Sequence, residues 1–235
     1  LCILAALLLT GCMFRASFDE LYEVPKLPNE YTELRDQIDS ILSNGAEYAA
    51  PASGTNIQSV QLVDLDGDGT EEALAFFRNS NEEKPLKIYI FQAVEDSYEQ
   101  VALVEGNGTA IHSISYVDMD GDGIQELIVG WRVNAESQAV GVYSIRNFAP
   151  KLLMEGLYTQ YEVLDFDGDS LQEMVLLRSD NTDGEPIAEY YDWNEGLLQV
   201  HSFARLSMTM AELERVDVGA LRGGETALFV TGVAE

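Results

Sequence analysis

Short apolar segments of strand length recur along the chain from residue 57 onward. Three are nearly continuous apolar runs, at residues 73–77, 127–131 and 174–177. Each run follows a stretch in which alternate positions are apolar or aromatic, at residues 60–63, 114–117 and 161–164. Segments of this length and pattern predict β-strands, and the region shows no helical periodicity. The chain therefore reads as pairs of strands separated by short polar segments.

Two further strand-like segments follow each pair. They are residues 86–91 and 100–104, then 140–145 and 151–154, then 188–193 and 197–200. The connectors between them carry the Asn, Asp and Gly residues that turns need. Four strands in each repeat are typical of a propeller blade. The predicted fold is mainly β, a β-propeller-like array of four-stranded blades, three complete and one partial, with one N-terminal α-helix.

The one helix is predicted at residues 29–45. The segment 29–33 offers an N-cap and acidic residues in the first turn, and Asn44 with Gly45 would end the helix. Apolar residues follow at helical spacing, at Leu34, Ile38, Ile41 and Leu42. We expect this apolar stripe to pack on the first blade. Binding of a partner by the same stripe is the alternative.

Three acidic segments of nine residues join the first two strands of the repeats: loop 1 (64–72), loop 2 (118–126) and loop 3 (165–173). Each has carboxylates at positions 1, 3, 5 and 9, and small residues at positions 4 and 6 let the backbone curl. Oxygen ligands in this pattern predict a calcium site. The carboxylates are Asp64, Asp66, Asp68 and Glu72, then Asp118, Asp120, Asp122 and Glu126, then Asp165, Asp167, Asp169 and Glu173.

These loops differ from the EF-hand, which needs a glutamate at position 12 and helices on both sides. Position 12 is Ala75, Val129 and Leu176. Four carboxylates in nine residues repel one another, and a divalent cation reverses that effect. The alternative is that the loops are acidic β-turns without metal, because Asp and Gly favour turns on their own. Loop starts 54 and 47 residues apart are typical of a solenoid or propeller.

The order of strand, Asp-x-Asp-Gly-Asp-Gly-x-x-Glu and strand resembles the FG-GAP/VCBS repeat of integrin-type β-propellers, over residues 57–235. This resemblance implies that the carboxylates named above bind calcium through their side chains. It also implies a backbone carbonyl ligand in each loop, from Thr70, Ile124 and Leu171. Two or three ions are expected, because Ser170 replaces glycine at position 6 of loop 3 and would have to adopt a positive φ angle there.

A fourth copy of the repeat is predicted at residues 216–225. Asp217 and Glu225 keep the spacing of the first and last carboxylates, but Gly219 and Leu221 replace the two between them. Arg222 would supply a positive charge in place of a metal ion. The array then stops within its fourth unit, so we expect the chain to be a fragment of a longer protein.

The N-terminal residues resemble a bacterial lipoprotein signal. Residues 1–9 are apolar, too few to cross a bilayer, and they lead into Leu9-Thr10-Gly11-Cys12. The resemblance implies a signal peptide at residues 1–12, lipid on Cys12 and a tether at residues 13–28. The expected location is extracytoplasmic, with the protein lipid-anchored to a bacterial membrane. A trimmed membrane helix is the alternative interpretation.

Charge and composition limit the function classes. The formal net charge of −28 argues against nucleic acid as a partner. His112 and His201 have no neighbouring sequence motif of a catalytic triad, and Trp131 and Trp193 are expected to fill space between blades. We expect a binding or structural module, with a cell-envelope protein or glycan as its partner. The alternative is a calcium-dependent surface enzyme acting on polysaccharide or peptide, with active residues elsewhere.

Overall fold

The computed structural model describes residues 31–94, 97–179, 185–209, 212–224 and 226–232. This part of the chain forms one α-helix, α1 (Thr32–Ser43), and otherwise mainly β-strands. The strands are β1 (Glu47–Tyr48), β2 (Val60–Val63), β3 (Glu72–Arg78), β4 (Leu86–Val94), β5 (Ser97–Gly106), β6 (Ala110–Val117), β7 (Glu126–Arg132), β8 (Gln138–Ser144), β9 (Lys151–Tyr158), β10 (Gln160–Leu164), β11 (Glu173–Ser179), β12 (Pro186–Asn194), β13 (Leu197–Arg205), β14 (Leu213–Ala220) and β15 (Thr226–Gly232).

The strands form four antiparallel sheets in chain order. Sheet 1 contains β1 to β5, sheet 2 contains β6 to β9, sheet 3 contains β10 to β13, and sheet 4 is the pair β14 and β15. Sheets 2 and 3 are simple meanders of four neighbouring strands. The strands predicted from the sequence are confirmed. Sheet 1 differs from the prediction because a fifth strand, β1, pairs with β3 through Tyr48 and Phe77.

Strands β3, β7 and β11 carry apolar runs, at residues 73–77, 127–131 and 174–177, because both faces of these strands are buried. In β7, Leu127, Val129 and Trp131 contact residues of sheet 1, whereas Ile128 faces sheet 3. Antiparallel strands with one wet face alternate polar and apolar residues, so a continuous apolar run indicates burial on both sides. Sheets 1 and 2 therefore share one core, and sheets 2 and 3 share another.

The helix closes the outer face of sheet 1. Leu34 is fully buried and Ile38 is 2% exposed, and both contact Phe77 and Phe91 or their neighbours on sheet 1. Ile41 and Leu42 pack at the margin of the same cluster. The predicted packing of the apolar stripe is confirmed. The helix begins at Thr32 after Tyr31, with no side-chain cap, and residues 29 and 30 of the predicted helix lie outside the described part.

The fourth repeat, which is expected to have lost its metal site, forms a hairpin of β14 and β15. Asp217 lies inside β14, where it pairs with Phe229 of β15. The strands continue to Ala220 and Thr226, and only a short turn separates them. The nearby cation is Arg215, whose Nη2 lies 2.7 Å from Asp217 Oδ1, rather than Arg222. Gly219 and Leu221 replace the aspartates at positions 3 and 5 of the other loops. A plain hairpin is therefore possible here, because no group of carboxylates has to be arranged around a metal ion.

The predicted signal peptide (1–12), the lipid-bearing Cys12 and the tether (13–28) all lie outside the described residues. Within the described residues, no helix combines the length and the apolar composition needed to cross a membrane.

Candidate metal centre

The three loops occupy equivalent places in sheets 1, 2 and 3. Each begins directly after the first strand of the four-strand meander, namely β2, β6 or β10. Each ends on the first residue of the next strand, which is Glu72, Glu126 or Glu173. The strand pairing brings that glutamate back beside the start of its own loop, since Val63 pairs with Glu72, and Val117 with Glu126. Positions 1 and 9 are thus held together by the sheet.

The aspartate at position 1 organises the curl of each loop. Asp64 accepts hydrogen bonds from the backbone N–H of Gly67 at Oδ1 (2.8 Å) and of Gly69 at Oδ2 (3.0 Å). Asp118 and Asp165 make the same two contacts in loops 2 and 3. Backbone donors on both oxygens fix the orientation of the carboxylate. The glycines at position 4 have φ angles of +75°, +72° and +86°, which explains the need for a small residue.

In loops 1 and 3, the aspartates at positions 3 and 5 each accept a backbone N–H at one oxygen. In loop 1, Asp66 Oδ1 accepts from the N–H of Asp68 (3.2 Å), and Asp68 Oδ1 accepts from the N–H of Thr70 (2.7 Å). Loop 3 repeats both contacts through Asp167 and Asp169. Asx-type turns of this kind hold the side chains in place and leave the second oxygen of each carboxylate for another partner.

The glutamate at position 9 is the most informative side chain of each loop. Glu72 and Glu173 are fully buried, and their Oε2 atoms accept the N–H of Leu65 (2.9 Å) and Phe166 (2.7 Å). Their Oε1 atoms are buried without a hydrogen-bond partner. A buried charged oxygen with no partner is costly unless a cation binds it. These two atoms therefore fit a metal ligand set.

Burial shifts the protonation of all three glutamates. It raises the pKa of Glu126 to about 7, with the three aspartates of its loop adding to the rise and the N–H of Met119 opposing it. Burial raises the pKa of Glu72 and Glu173 for the same reasons. Burial thus makes these carboxylates easier to protonate, whereas a bound metal ion would favour their charged form. Proton and metal are thus expected to compete for the same side chains.

The structure brings most of the predicted ligands together. In loop 3, one oxygen from each of Asp165, Asp167, Asp169 and Glu173 lies within 4.8 Å of the others. Loop 1 groups Asp64, Asp66 and Glu72, and loop 2 groups Asp118, Asp120 and Asp122, within the same distance. Asp68 and Glu126 lie outside these groups. The carbonyl ligands at Thr70, Ile124 and Leu171 stay a prediction.

Loop 3 assembles all four carboxylates although its sequence departs from the pattern. Ser170 adopts a φ angle of +77°, as predicted for a non-glycine residue at position 6. Its N–H still donates to Asp165 Oδ2 (3.1 Å), the contact that glycine makes in the other loops. The left-handed conformation costs a side-chain-bearing residue about 1 kcal/mol or more. The loop therefore keeps its shape at some cost in stability.

Neighbouring loops contact each other through their backbones. The N–H of Gln125 in loop 2 donates to the carbonyl of Leu65 in loop 1, and the N–H of Gln172 in loop 3 donates to the carbonyl of Met119 in loop 2, both at 2.7 Å. The side chains of Leu65 and Met119 are fully buried in the cores between the sheets. The three loops thus form a continuous row along one edge of the sheets. Sequence reasoning treated them as separate and missed this row.

An arginine that sequence reasoning missed lies against loop 2. Arg146 follows β8, and its Nη2 lies 3.0 Å from Asp120 Oδ2 and in contact with Asp122 Oδ2. Burial and the Asp122 carboxylate raise the pKa of Asp120, and the Arg146 guanidinium opposes that rise. Asp120 Oδ1 is buried with no hydrogen-bond partner. No sequence signal places Arg146 here, because it lies 26 residues from Asp120.

His112 contacts a serine, but the geometry does not make that serine a nucleophile. His112 Nε2 lies 3.2 Å from Ser53 Oγ, and Nδ1 lies 3.5 Å from Arg132 Nη2. Since arginine can only donate, Nδ1 accepts and the proton is on Nε2. Ser53 Oγ in turn donates to the carbonyl of His112 (3.0 Å). The imidazole therefore has no free lone pair for the serine proton. Burial lowers the pKa of His112, and the positive charge of Arg132 lowers it further.

The other singled-out aromatic and imidazole side chains have structural surroundings. Trp131 is 3% exposed in the core between sheets 1 and 2, as predicted. Trp193 packs against the core between sheets 2 and 3, and its Nε1–H donates to the carbonyl of Gln172 (3.0 Å). His201 is 65% exposed and lies edge-on to Tyr190. Trp193 thus supports the end of loop 3 from the core side.

Comparison with known proteins gives only distant structural likenesses. No protein-family model matches the sequence, and no curated protein matches it. Among solved structures, the rhamnogalacturonan lyase PL11 of Bacillus licheniformis matches with a TM-score of 0.46 and 15% sequence identity. The match covers 80% of this chain and 40% of the lyase, so the chain spans less than half the length of that protein.

Proposed function

We propose that this chain is a calcium-binding, extracytoplasmic module in which the metal holds neighbouring β-sheets together. The proposal rests on the buried glutamates at position 9. Glu72 and Glu173 each have one buried carboxylate oxygen with no hydrogen-bond partner, and each belongs to a group of carboxylates with oxygens within 4.8 Å of one another. A cation is the simplest group that satisfies such an oxygen.

Calcium fits this ligand set better than the other common divalent ions. The described loops offer carboxylate oxygens in groups of three or four and no histidine or cysteine. Hard oxygen ligands suit calcium and magnesium, and magnesium keeps most of its water and uses one or two carboxylates. Three or more carboxylates with an open outer side match the six to eight oxygens that calcium takes. Loops 1, 2 and 3 would then hold two or three ions.

The role of the ion in this proposal is structural. Each loop lies where one sheet meets the next, and the position 2 residues Leu65 and Met119 are buried in the cores between sheets. A bound ion would cancel the repulsion among the loop carboxylates and so stabilise that junction. We further propose that the sheets are blades of a β-propeller, supported by two consecutive four-stranded meanders packed face to face.

Calorimetric titration of calcium into the chelator-treated full chain, kept soluble in mild detergent, tests the proposal. We expect at least two ions to bind. Glu173→Gln should remove one of them, because the amide keeps the shape but loses the charge and half of the acceptor capacity. Glu155→Gln is the matched control, since this exposed residue of β9 removes one charge away from the loops. No binding, or equal losses in the two variants, would overturn the calcium assignment.

We also propose that the module is attached to a bacterial membrane through lipid on Cys12, where it serves a cell-envelope protein or glycan. The support is the sequence Leu9-Thr10-Gly11-Cys12 after an apolar run. Lipid chains on one residue hold a protein firmly when two are present. We expect Cys12→Ala to move the protein from the membrane fraction to the soluble fraction in a bacterial host. Cys2→Ala is the control, and continued pelleting of Cys12→Ala with membranes would contradict the assignment.

A further inference from the structure

Loop 2 differs from its two neighbours in the second oxygen of the position 5 aspartate. In loops 1 and 3, Asp68 and Asp169 each accept one backbone N–H at Oδ1, from Thr70 (2.7 Å) and Leu171 (2.8 Å). Within the described part of the chain, their Oδ2 atoms have no hydrogen-bond or ion-pair partner. In a loop of this kind that oxygen is open to a cation.

In loop 2 the same oxygen is already paired with a positive charge. Asp122 Oδ1 accepts the N–H of Ile124 (2.8 Å), and Asp122 Oδ2 contacts Arg146 Nη2. The same nitrogen lies 3.0 Å from Asp120 Oδ2. One guanidinium therefore engages the position 3 and position 5 carboxylates together. Arginine stays charged at every physiological pH, so this pairing does not depend on titration of the arginine.

The backbone holds Arg146 in this place at an energetic cost. Arg146 begins a single 3-10 turn, Arg146–Phe148, in which Asn147 and Phe148 have φ angles of +55° and +52°. Consecutive left-handed residues other than glycine are rare, and such conformations persist where the surroundings over-determine them. Here Ile145 is 2% exposed, and Phe148 packs against the core between sheets 1 and 2. The turn is thus anchored on both sides of the arginine.

The guanidinium has room to move away from loop 2. A cavity of about 380 Å³ opens beside it, lined by Asp120, Arg146, Lys151, Leu153 and Trp193 among others. The Arg146 side chain is 49% exposed, so no dense packing prevents a rotamer change. Movement of the side chain from the carboxylates into this cavity would therefore meet no dense packing.

We propose that Arg146 is a built-in competitor of calcium at loop 2. Resting on the calcium-binding function proposed above, this makes loop 2 the weakest of the three sites, and calcium binding there releases the arginine. At low calcium, loops 1 and 3 would then hold calcium while Arg146 pairs with Asp120 and Asp122 of loop 2. Loop 2 would bind calcium only at a higher calcium concentration, and its occupancy would be coupled to the position of the Arg146 side chain.

Calcium titration of the Arg146→Met variant of the full chain, in mild detergent, tests this inference. Methionine keeps an unbranched side chain but cannot pair with a carboxylate. We expect two tighter sites and one weaker site in the unchanged protein, and at least a tenfold gain in affinity of the weaker site in Arg146→Met. Arg215→Met is the matched control, since it removes an exposed arginine paired with Asp217 outside the three loops. Its three calcium affinities should stay within twofold.

Thermal unfolding of the same variant gives a second readout. In EDTA, Arg146→Met should melt at a lower temperature than the unchanged protein, because Asp120 and Asp122 of loop 2 lose the cation that pairs with them. In saturating calcium, Arg146→Met should melt at the same temperature as the unchanged protein or at a higher one. Arg146→Lys keeps the charge and should retain the weak site.

The outcomes separate this inference from the calcium proposal itself. If loops 1 and 3 bind calcium but Arg146→Met leaves the weaker site within twofold of its original affinity, the competition is wrong and the calcium function stands. A fall in affinity would mean that Arg146 orients the carboxylates for the metal, and it would also overturn the competition. If neither protein binds calcium, both proposals fail.

Discussion

Millimolar calcium is expected to raise the free energy of unfolding of the chelated protein by about 5 kcal/mol. A site with a dissociation constant near 10 µM contributes roughly 2.7 kcal/mol at about 100-fold excess, and the proposed sites in loops 1 and 3 would make two such contributions. For a domain of this size the expected rise in Tm is roughly 10 to 20 °C. Scanning calorimetry in EDTA and in calcium measures it directly.

Stability in EDTA and the stabilising effect of added calcium should change with pH in opposite directions. The pKa of Glu126, raised by burial to about 7 from its ordinary value of 4.5, means that the metal-free folded state binds more protons than the unfolded state between these values. Stability in EDTA is therefore highest below the unfolded pKa and is lost as pH rises through the folded pKa, by about 2 kcal/mol between pH 5.5 and 8. Calcium binds the charged carboxylates, so its stabilising effect should instead grow with pH.

Glu126→Gln provides the control for this pH effect. The amide imitates the protonated carboxyl and can still accept the N–H of Met119, which lies 3.0 Å from Glu126 Oε2. In EDTA this variant should lose about 2 kcal/mol of the pH dependence. A calcium-induced rise in Tm that is the same at pH 5.5 and 8 would contradict the assignment of these carboxylates as ligands.

Gly67→Ala is expected to destabilise the protein by about 2 to 5 kcal/mol. A Cβ at Gly67 would lie 2.5 Å from the carbonyl oxygen of Gly123 in loop 2, and the φ angle of +75° is unfavourable for alanine. The conformational part costs about 1 to 2 kcal/mol, and forcing two packed backbones apart adds about 1 to 3 kcal/mol. Urea unfolding in saturating calcium measures the loss.

Gly168→Ala separates these two contributions. Gly168 holds the same position in loop 3, with a φ angle of +86°, but a Cβ there would meet nothing within 4 Å. We expect it to cost only the conformational part, about 1 to 2 kcal/mol. If both variants lose the same stability, loops 1 and 2 are not packed as described.

The strands and loops were predictable because their signals are local. Apolar runs such as 73–77 are short and lie beside turn residues, which distinguishes strands from helices. The carboxylates of a loop are within nine residues of one another, so their spacing alone brings them together. Ser170 shows the same logic, since its positive φ follows from the conformation that glycine adopts at that position in loops 1 and 2.

The features that the sequence did not reveal depend on distant contacts. Arg146 reaches loop 2 only after β7 and β8 have folded back, and nothing in its neighbours indicates an acidic partner. Strand β1 has two residues, too few to show a period of two, and it exists because it pairs with β3. In the fourth repeat, the spacing of Asp217 and Glu225 alone did not show that Asp217 lies inside β14, where it pairs with Phe229. Tertiary pairing decided each of these cases.

The row of loops also bears on how such a protein could lengthen or shorten in evolution. Neighbouring loops are joined by backbone hydrogen bonds: the N–H of Gln125 donates to the Leu65 carbonyl, and the N–H of Gln172 donates to the Met119 carbonyl. Backbone hydrogen bonds do not depend on side-chain identity. In both of them, position 8 of one loop donates to position 2 of the preceding loop. Removal of residues 118–164 would leave Gln172 facing Leu65 in the same register. Duplication or loss of a whole unit would thus preserve the hydrogen bonds between neighbouring loops, and only the side chains packed between the sheets would have to change.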